Sequence, residues 1–291
     1  MRFISHLHGR TAMLWVLLGA LILSACGVQS QEVPMFRANL ARTGVFPSDG
    51  PTTLNELVWK FKTDGEFVSS PAIVGGVVYV GSQDGRLYAL DARTGQEKWT
   101  FKTDGAVYSS PAIADGAVYF GSDDGRLYAL DTGTGQEKWT FRTDGWVRSS
   151  PAIADGVVYV GSQDGRLYAL DARTGQEKWT FKTDGAVYSS PASAGGLVYV
   201  GSGDGRLYAL DARTGQEKWT FKTDGEFVSS PAVAGGMVYI GSWDGRLYAL
   251  DAGTGQEKWR FKTDGKRISP PAIAGGVVYF GSSDGYLYAV R

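Results

Sequence analysis

The chain is poor in the residues that do most protein chemistry. Of 291 residues one is cysteine, Cys26, and two are histidine, His6 and His8. Beyond position 8 there is no imidazole for general acid–base work, for a Ser-His-Asp arrangement or for a zinc site. No Cys-x-x-Cys-His run exists to carry a haem. No glycine-rich loop opens a helix, so there is no phosphate cradle. No stretch holds helical periodicity long enough to compete with strand patterns. A surplus of one charge is missing too, since the formal net charge is −1 and the sequence pI about 6.2. Nucleic acid is therefore not an expected partner.

The first 26 residues follow a different rule from the rest. Arg2 and Arg10 give a basic start, and Met13 to Leu23 is apolar and uncharged. Leu23-Ser24-Ala25-Cys26 follows, so residues 1–26 read as an export signal, too short to read first as a membrane span. The ending resembles a bacterial lipobox, which implies cleavage before Cys26 and acylation of its sulfur. Acyl chains contribute roughly 0.8 kcal/mol per buried methylene, so several of them anchor a chain to a membrane. Gly27 in place of Asp is similar to lipoproteins that pass on to an outer membrane, facing the periplasm, in bacteria with two membranes. Residues 27–56 read as a tether and irregular lead-in, with turn residues at Pro47-Ser48-Asp49-Gly50-Pro51.

What is abundant is repetition. A block of 40 residues is written six times, the last copy cut short at Ala289-Val290-Arg291. Each full copy carries Ala-x-Asp-x-x-Thr-Gly-x-Glu-x-Trp, as in Ala89–Trp99, Ala129–Trp139, Ala169–Trp179, Ala209–Trp219 and Ala249–Trp259. Within a copy, four short runs rich in β-branched and aromatic residues are separated by Gly-Gly, Asp-Gly or Thr-Gly turns. Four antiparallel strands per period predict an all-β, six-bladed β-propeller over 57–291. Leu57 to Thr63, LVWKFKT, reads as an isolated fourth strand, and the C-terminal copy has only three. Pairing them predicts a monomeric ring closed by the N-terminal strand, with no open edges.

The repeated eleven-residue string resembles the tryptophan-docking motif of quinoprotein alcohol dehydrogenases. It is also similar to the repeats of the B lipoproteins of the outer-membrane barrel-assembly machinery. Phe36-Arg37 and Ala41-Arg42-Thr43-Gly44 look like the segment that precedes the first blade in such propellers. The resemblance implies that Trp59, Trp99, Trp139, Trp179, Trp219 and Trp259 dock between neighbouring blades, a structural role. It does not bring the catalytic parts with it. The quinone enzymes of the family have an adjacent cysteine pair over the cofactor and usually eight blades. No cofactor is expected here, quinone included. Asp64, Asp84, Asp91 and their copies leave a structural calcium open, although single turn aspartates that cap the backbone explain them as well.

Function is then sought where the copies differ. One variable place is the triplet after Asp-Gly: Glu66-Phe67-Val68, Ala106-Val107-Tyr108, Trp146-Val147-Arg148, Ala186-Val187-Tyr188, Glu226-Phe227-Val228 and Lys266-Arg267-Ile268. The other is the residue between Gly-Ser and Asp-Gly: Gln83, Asp123, Gln163, Gly203, Trp243 and Ser283. Chain reversal at each turn puts both sets on one face of the ring. Phe67, Tyr108, Trp146, Arg148, Tyr188, Phe227, Trp243 and Arg267 form the expected partner-binding set, of the residue types that dominate interface energies. The competing expectation is that the bulky residues only fill the channel mouth. The sequence thus leads to a non-catalytic envelope scaffold for other proteins, with a small-molecule or glycan binder as alternative and a quinone dehydrogenase behind both.

Overall fold

The computed structural model describes residues 56–291. The described residues all belong to one compact unit. The export signal, Cys26 and the lead-in as far as residue 55 lie outside the described residues.

Six antiparallel sheets follow one another along the chain. The first contains Ala72–Val74, Val77–Gly81, Arg86–Asp91 and Glu97–Lys102, paired in chain order as a meander. The next four repeat it at intervals of 40 residues. The sixth has three strands, Ala272–Ala274, Val277–Gly281 and Leu287–Val290. Val, Ile, Leu and Tyr dominate the two middle strands, which are almost wholly buried. The outer strands alternate. Trp and Phe point to the neighbouring sheet, while Glu, Thr and Lys face water. Each complete sheet carries the same bulge between its third and fourth strands, where Ala89 pairs with Trp99 but Leu90 with Glu97. The bulge re-aims the outer strand just before its tryptophan.

Neighbouring sheets are joined at three levels. At the outside, the Trp139 indole N–H and the Tyr119 hydroxyl both donate to the Ala172 carbonyl, at 2.9 and 3.0 Å. The same pair of bonds recurs with Thr132, Ala212 and Ala252 as acceptors, and Trp59 donates to Ala92. In the middle, Val107, Val147, Val187, Phe227 and Ile268 cover Gly81, Gly121, Gly161, Gly201 and Gly241 of the preceding sheet, where a side chain would collide. On the inner strands, serine N–H groups donate to serine hydroxyls one sheet on. Ser70 bonds Ser110, Ser110 bonds Ser150, Ser150 bonds Ser190 and Ser190 bonds Ser230, all at 2.9–3.0 Å.

One expectation is not met. Residues 57–63 form no strand, and Leu287–Val290 has no fourth partner among the described residues. The segment is held from its other side, through Trp59 on Ala92 and an edge-on contact of Phe61 with Tyr88 at 5.3 Å. It sits against the first sheet as every outer strand sits against the sheet that follows it. Among the described residues the far edge of the sixth sheet has no partner strand. Leu287 is 78% exposed, whereas Leu87, Leu127, Leu167, Leu207 and Leu247 at the same position are fully buried.

Candidate functional site

The two variable sets are brought together by the backbone. In each of the first five sheets the turn residue donates its N–H to the carbonyl of the triplet's first residue: Gln83 to Glu66, Asp123 to Ala106, Gln163 to Trp146, Gly203 to Ala186 and Trp243 to Glu226. The middle residue of the next triplet also donates to the turn serine, as Val147 does to Ser122. The variable residues of adjacent sheets are thereby set side by side on one rim.

The densest cluster spans sheets two to four. The Arg148 guanidinium lies 4.4 Å from the Tyr108 ring centre and 4.5 Å from that of Trp146. Its Nε and Nη2 donate to both oxygens of Asp123, at 2.9 and 2.7 Å. Asp123 and burial act oppositely on the guanidinium, and the Asp123 hydrogen bonds prevail, holding its pKa above the ordinary arginine value. An exposed cation–π contact contributes ~0.5–1 kcal/mol, and a bidentate charged pair adds strength and direction. Two rings, one fork and one carboxylate thus fix the orientation of Arg148. Trp146 and Tyr188 remain 48% and 37% exposed beside it. Beneath the rim, the Gln163 amide nitrogen is buried with no acceptor among the described residues.

A second stack lies between sheets five and six, where the Arg267 guanidinium is 4.6 Å from the Trp243 ring centre. It arises from a slip. In Lys266-Arg267-Ile268 the middle residue is a cation, which cannot be buried unpaired over Gly241. Ile268 takes that place instead, and Ser283 bonds the Arg267 carbonyl where the other turns bond the first residue of the triplet. Arg267 is left on the surface.

Not every member of the expected set is available to a partner. Phe227 is fully buried over Gly201 and edge-on to Tyr248, so it is core and is withdrawn from the face. Here the channel-mouth alternative is the correct one, and it holds equally for Val107, Val147 and Val187. Phe67 occupies the same middle position but is 41% exposed, because no glycine of a preceding sheet lies under it. Asp123 is the residue missing from the expected set. It is the one carboxylate among the six turn residues, which was the signal that it had an arginine to hold.

The six tryptophans lie on the outer strands or their equivalent. Five donate across to a docking turn, and Trp259 meets Tyr239 of its own sheet at 5.8 Å. The docking turn is built by its aspartate. Asp211 Oδ1 accepts the N–H groups of Arg213 and Thr214 and the Thr214 hydroxyl. Those hydrogen bonds, with Lys218 nearby, hold its carboxyl at about 2. Among the described residues no three His, Cys, Asp or Glu side chains converge on a point that could hold a cation.

Residues 51–235 match the family model described as the β-propeller of the beta-alanine-activating enzyme. The chain belongs to that β-propeller family. Residues 183–291 match the model described as outer membrane protein assembly factor BamB, which makes the propeller one of the PQQ-like, BamB type. Among solved structures, BamB from Moraxella catarrhalis is 25% identical, with a TM-score of 0.71 over 81% of this chain and 77% of that one. The computationally designed Ika8 protein is 22% identical, with a TM-score of 0.69 over 78% and 71%. The quinohemoprotein alcohol dehydrogenase from Comamonas testosteroni is 19% identical, with a TM-score of 0.74. This propeller spans 86% of its own length against that enzyme but 57% of the enzyme's, a likeness of fold alone. A search of curated protein sequences finds no match.

Proposed function

We propose that the chain is a non-catalytic envelope lipoprotein whose propeller is a rigid scaffold for other envelope proteins, with a part in outer-membrane protein assembly. The observation that carries this reading is the Tyr108–Arg148–Trp146 stack clamped by Asp123 on the variable rim. A pre-ordered arginine flanked by exposed aromatics binds with little further loss of side-chain entropy. The match of residues 183–291 to the BamB model supports the assembly role. Attachment runs through an acylated Cys26. A Cys26→Ser chain is expected to lose palmitate labelling, and labelling that persists removes this site.

The reading includes a closed ring in which Leu57–Thr63 of the same chain becomes the fourth strand of the sixth sheet. The five paired outer strands set its register, with Phe61 opposite Leu287 and Trp59 opposite Ala289. Capture from native envelope tests the functional reading. Tyr108→Ala, Trp146→Ala, Arg148→Ala and Trp243→Ala are expected to weaken recovery of the partner, each with a melting temperature close to that of the parent. Arg93→Ala and Arg173→Ala, on docking turns of the opposite face, are expected to be silent. Loss of capture in the Arg93 and Arg173 variants alone places the site on the wrong side.

A further inference from the structure

Exposed large apolar side chains gather at the seam of the proposed ring, on the first and sixth sheets and the segment before them. Among the described residues, Trp146 and Tyr188 are the two that stand elsewhere. Both belong to the rim at the third sheet, beside Arg148. The copies themselves show what that place lacks. In the first sheet the turn residue Gln83 donates its backbone N–H to the Glu66 carbonyl at 3.0 Å and its side-chain Nε2 to the Glu66 carboxylate at 3.4 Å. In the third sheet Gln163 donates its backbone N–H to the Trp146 carbonyl at 2.9 Å in the same way. The backbones match, but an indole, which only donates, replaces the residue that brings the carboxylate. Gln163 Nε2 is therefore buried without an acceptor among the described residues. An enclosed donor left unpaired costs free energy, and an incoming acceptor removes that cost.

The charges around it favour an anion. A cavity of about 400 Å³ lies beside Gln163, lined also by Asp164, Lys182, Asp184 and Ala186. Its two carboxylates are already engaged. Asp164 accepts from the Tyr168 hydroxyl and the Arg166 N–H, and Asp184 pairs with the Arg166 guanidinium. Lys182 has no carboxylate partner among the described residues. Arg148 commits Nε and Nη2 to Asp123, which leaves Nη1.

We propose that this part of the rim binds the carboxylate of an acidic side chain on the partner protein, in the place that Glu66 fills in the first sheet. The Gln163 amide donates to it, Arg148 and Lys182 supply positive charge, and Trp146 and Tyr188 wall the site. Rotation about the last side-chain bond of Gln163, a broad torsion, swings Nε2 toward the rim without moving the backbone. The inference deepens the scaffold reading and rests on it, and two separate readouts keep their failures apart.

The experiment titrates the full chain with N-acetyl-glutamate N-methylamide and follows its side-chain amides by heteronuclear NMR, with Gln163→Met to assign the resonance. The probe is expected to move the Gln163 amide and the Trp146 indole saturably. The glutamine analogue of the probe is expected to bind roughly tenfold more weakly, as a neutral acceptor does beside a charged one. Trp146→Glu, with the residue that Glu66 and Glu226 place there, supplies the carboxylate from within and is expected to abolish the response. Trp146→Ala leaves the amide open and is expected to keep a weaker response at Gln163. A Gln163 amide that the probe never moves, or that answers the glutamine analogue equally, overturns the carboxylate site. Capture from native envelope is the second readout. Gln163→Met, and Gln163→Gly with the residue the fourth sheet carries there, are expected to lower capture while melting no earlier than the parent, because an unpaired donor is removed. Capture unchanged in both, with Arg148→Ala still weakening it, removes this inference and keeps the scaffold reading. A probe that moves Gln163 while no rim change alters capture keeps the carboxylate site and removes the scaffold reading.

Discussion

At the scale of the residue, the most informative atoms are the turn carboxylates. Asp91, Asp131, Asp171, Asp211 and Asp251 each gather hydrogen bonds from a threonine and the backbone, and each is held below the ordinary carboxylate range. A depressed folded value means stability that is complete above the unfolded value, about 3.9. It is lost as pH falls through the folded value, which for Asp211 is about 2. The chain is therefore expected to lose resistance to denaturant between about pH 4 and 2. Asp211→Asn, which cannot titrate, should flatten that loss. Denaturation midpoints across this window check it, and an unchanged slope in the variant would show that the turn carboxylate is not coupled to folding. These aspartates were legible in the sequence as turn formers. Their shared acceptor geometry was not, since it depends on where Thr94 and its copies come to rest.

At the scale of the element, the unit of construction is the junction between sheets. Its parts are one indole, one tyrosine and one glycine, repeated with nearly constant distances. Gly175→Ala is expected to cost about 2–4 kcal/mol, the sum of left-handed backbone strain and overpacking against Trp139. Gly195→Ala, also left-handed at φ +59 but with nothing within 4 Å of an added Cβ, is expected to cost about 1 kcal/mol. Two-state denaturation separates the two. Equal losses would mean that the indole is not pressed on the turn. The strands, turns and junction tryptophans could be read from period and motif because every copy repeats the same local chemistry. Two features could not. The slip at Ile268 follows from competition between Arg267 and Ile268 for a buried place, which is decided only when Gly241 is beneath them. The burial of Phe227 has the same origin. A side chain in a variable position is core or surface according to what the preceding sheet puts under it.

At the scale of the whole molecule, five sheets of one pattern make the frame, and the differences between copies gather on one rim, where the proposed binding is placed. Serine hydroxyls link the inner strands as far as Ser230, and Pro270 stands at the next such position, without a hydroxyl. The sixth sheet is thus the point at which the repeat changes character, and the seam lies beside it. The number of sheets was legible in the sequence. The state of the seam was not, because it depends on segments far apart in the chain rather than on a repeated pattern. The rim, by contrast, could be found by comparing the copies with one another, and the structure then shows which differences touch. The most direct measurement of the central claim replaces the distinctive rim residues with those of other copies. Trp146→Ala, Arg148→Val, Trp243→Gln, Lys266→Ala and Arg267→Val, each a residue that at least two other copies carry at that place, are combined with Asp123→Gln, and capture of envelope proteins is measured beside thermal melting. The account predicts a melting temperature near that of the parent and capture reduced to background. Undiminished capture by this uniform rim would contradict it.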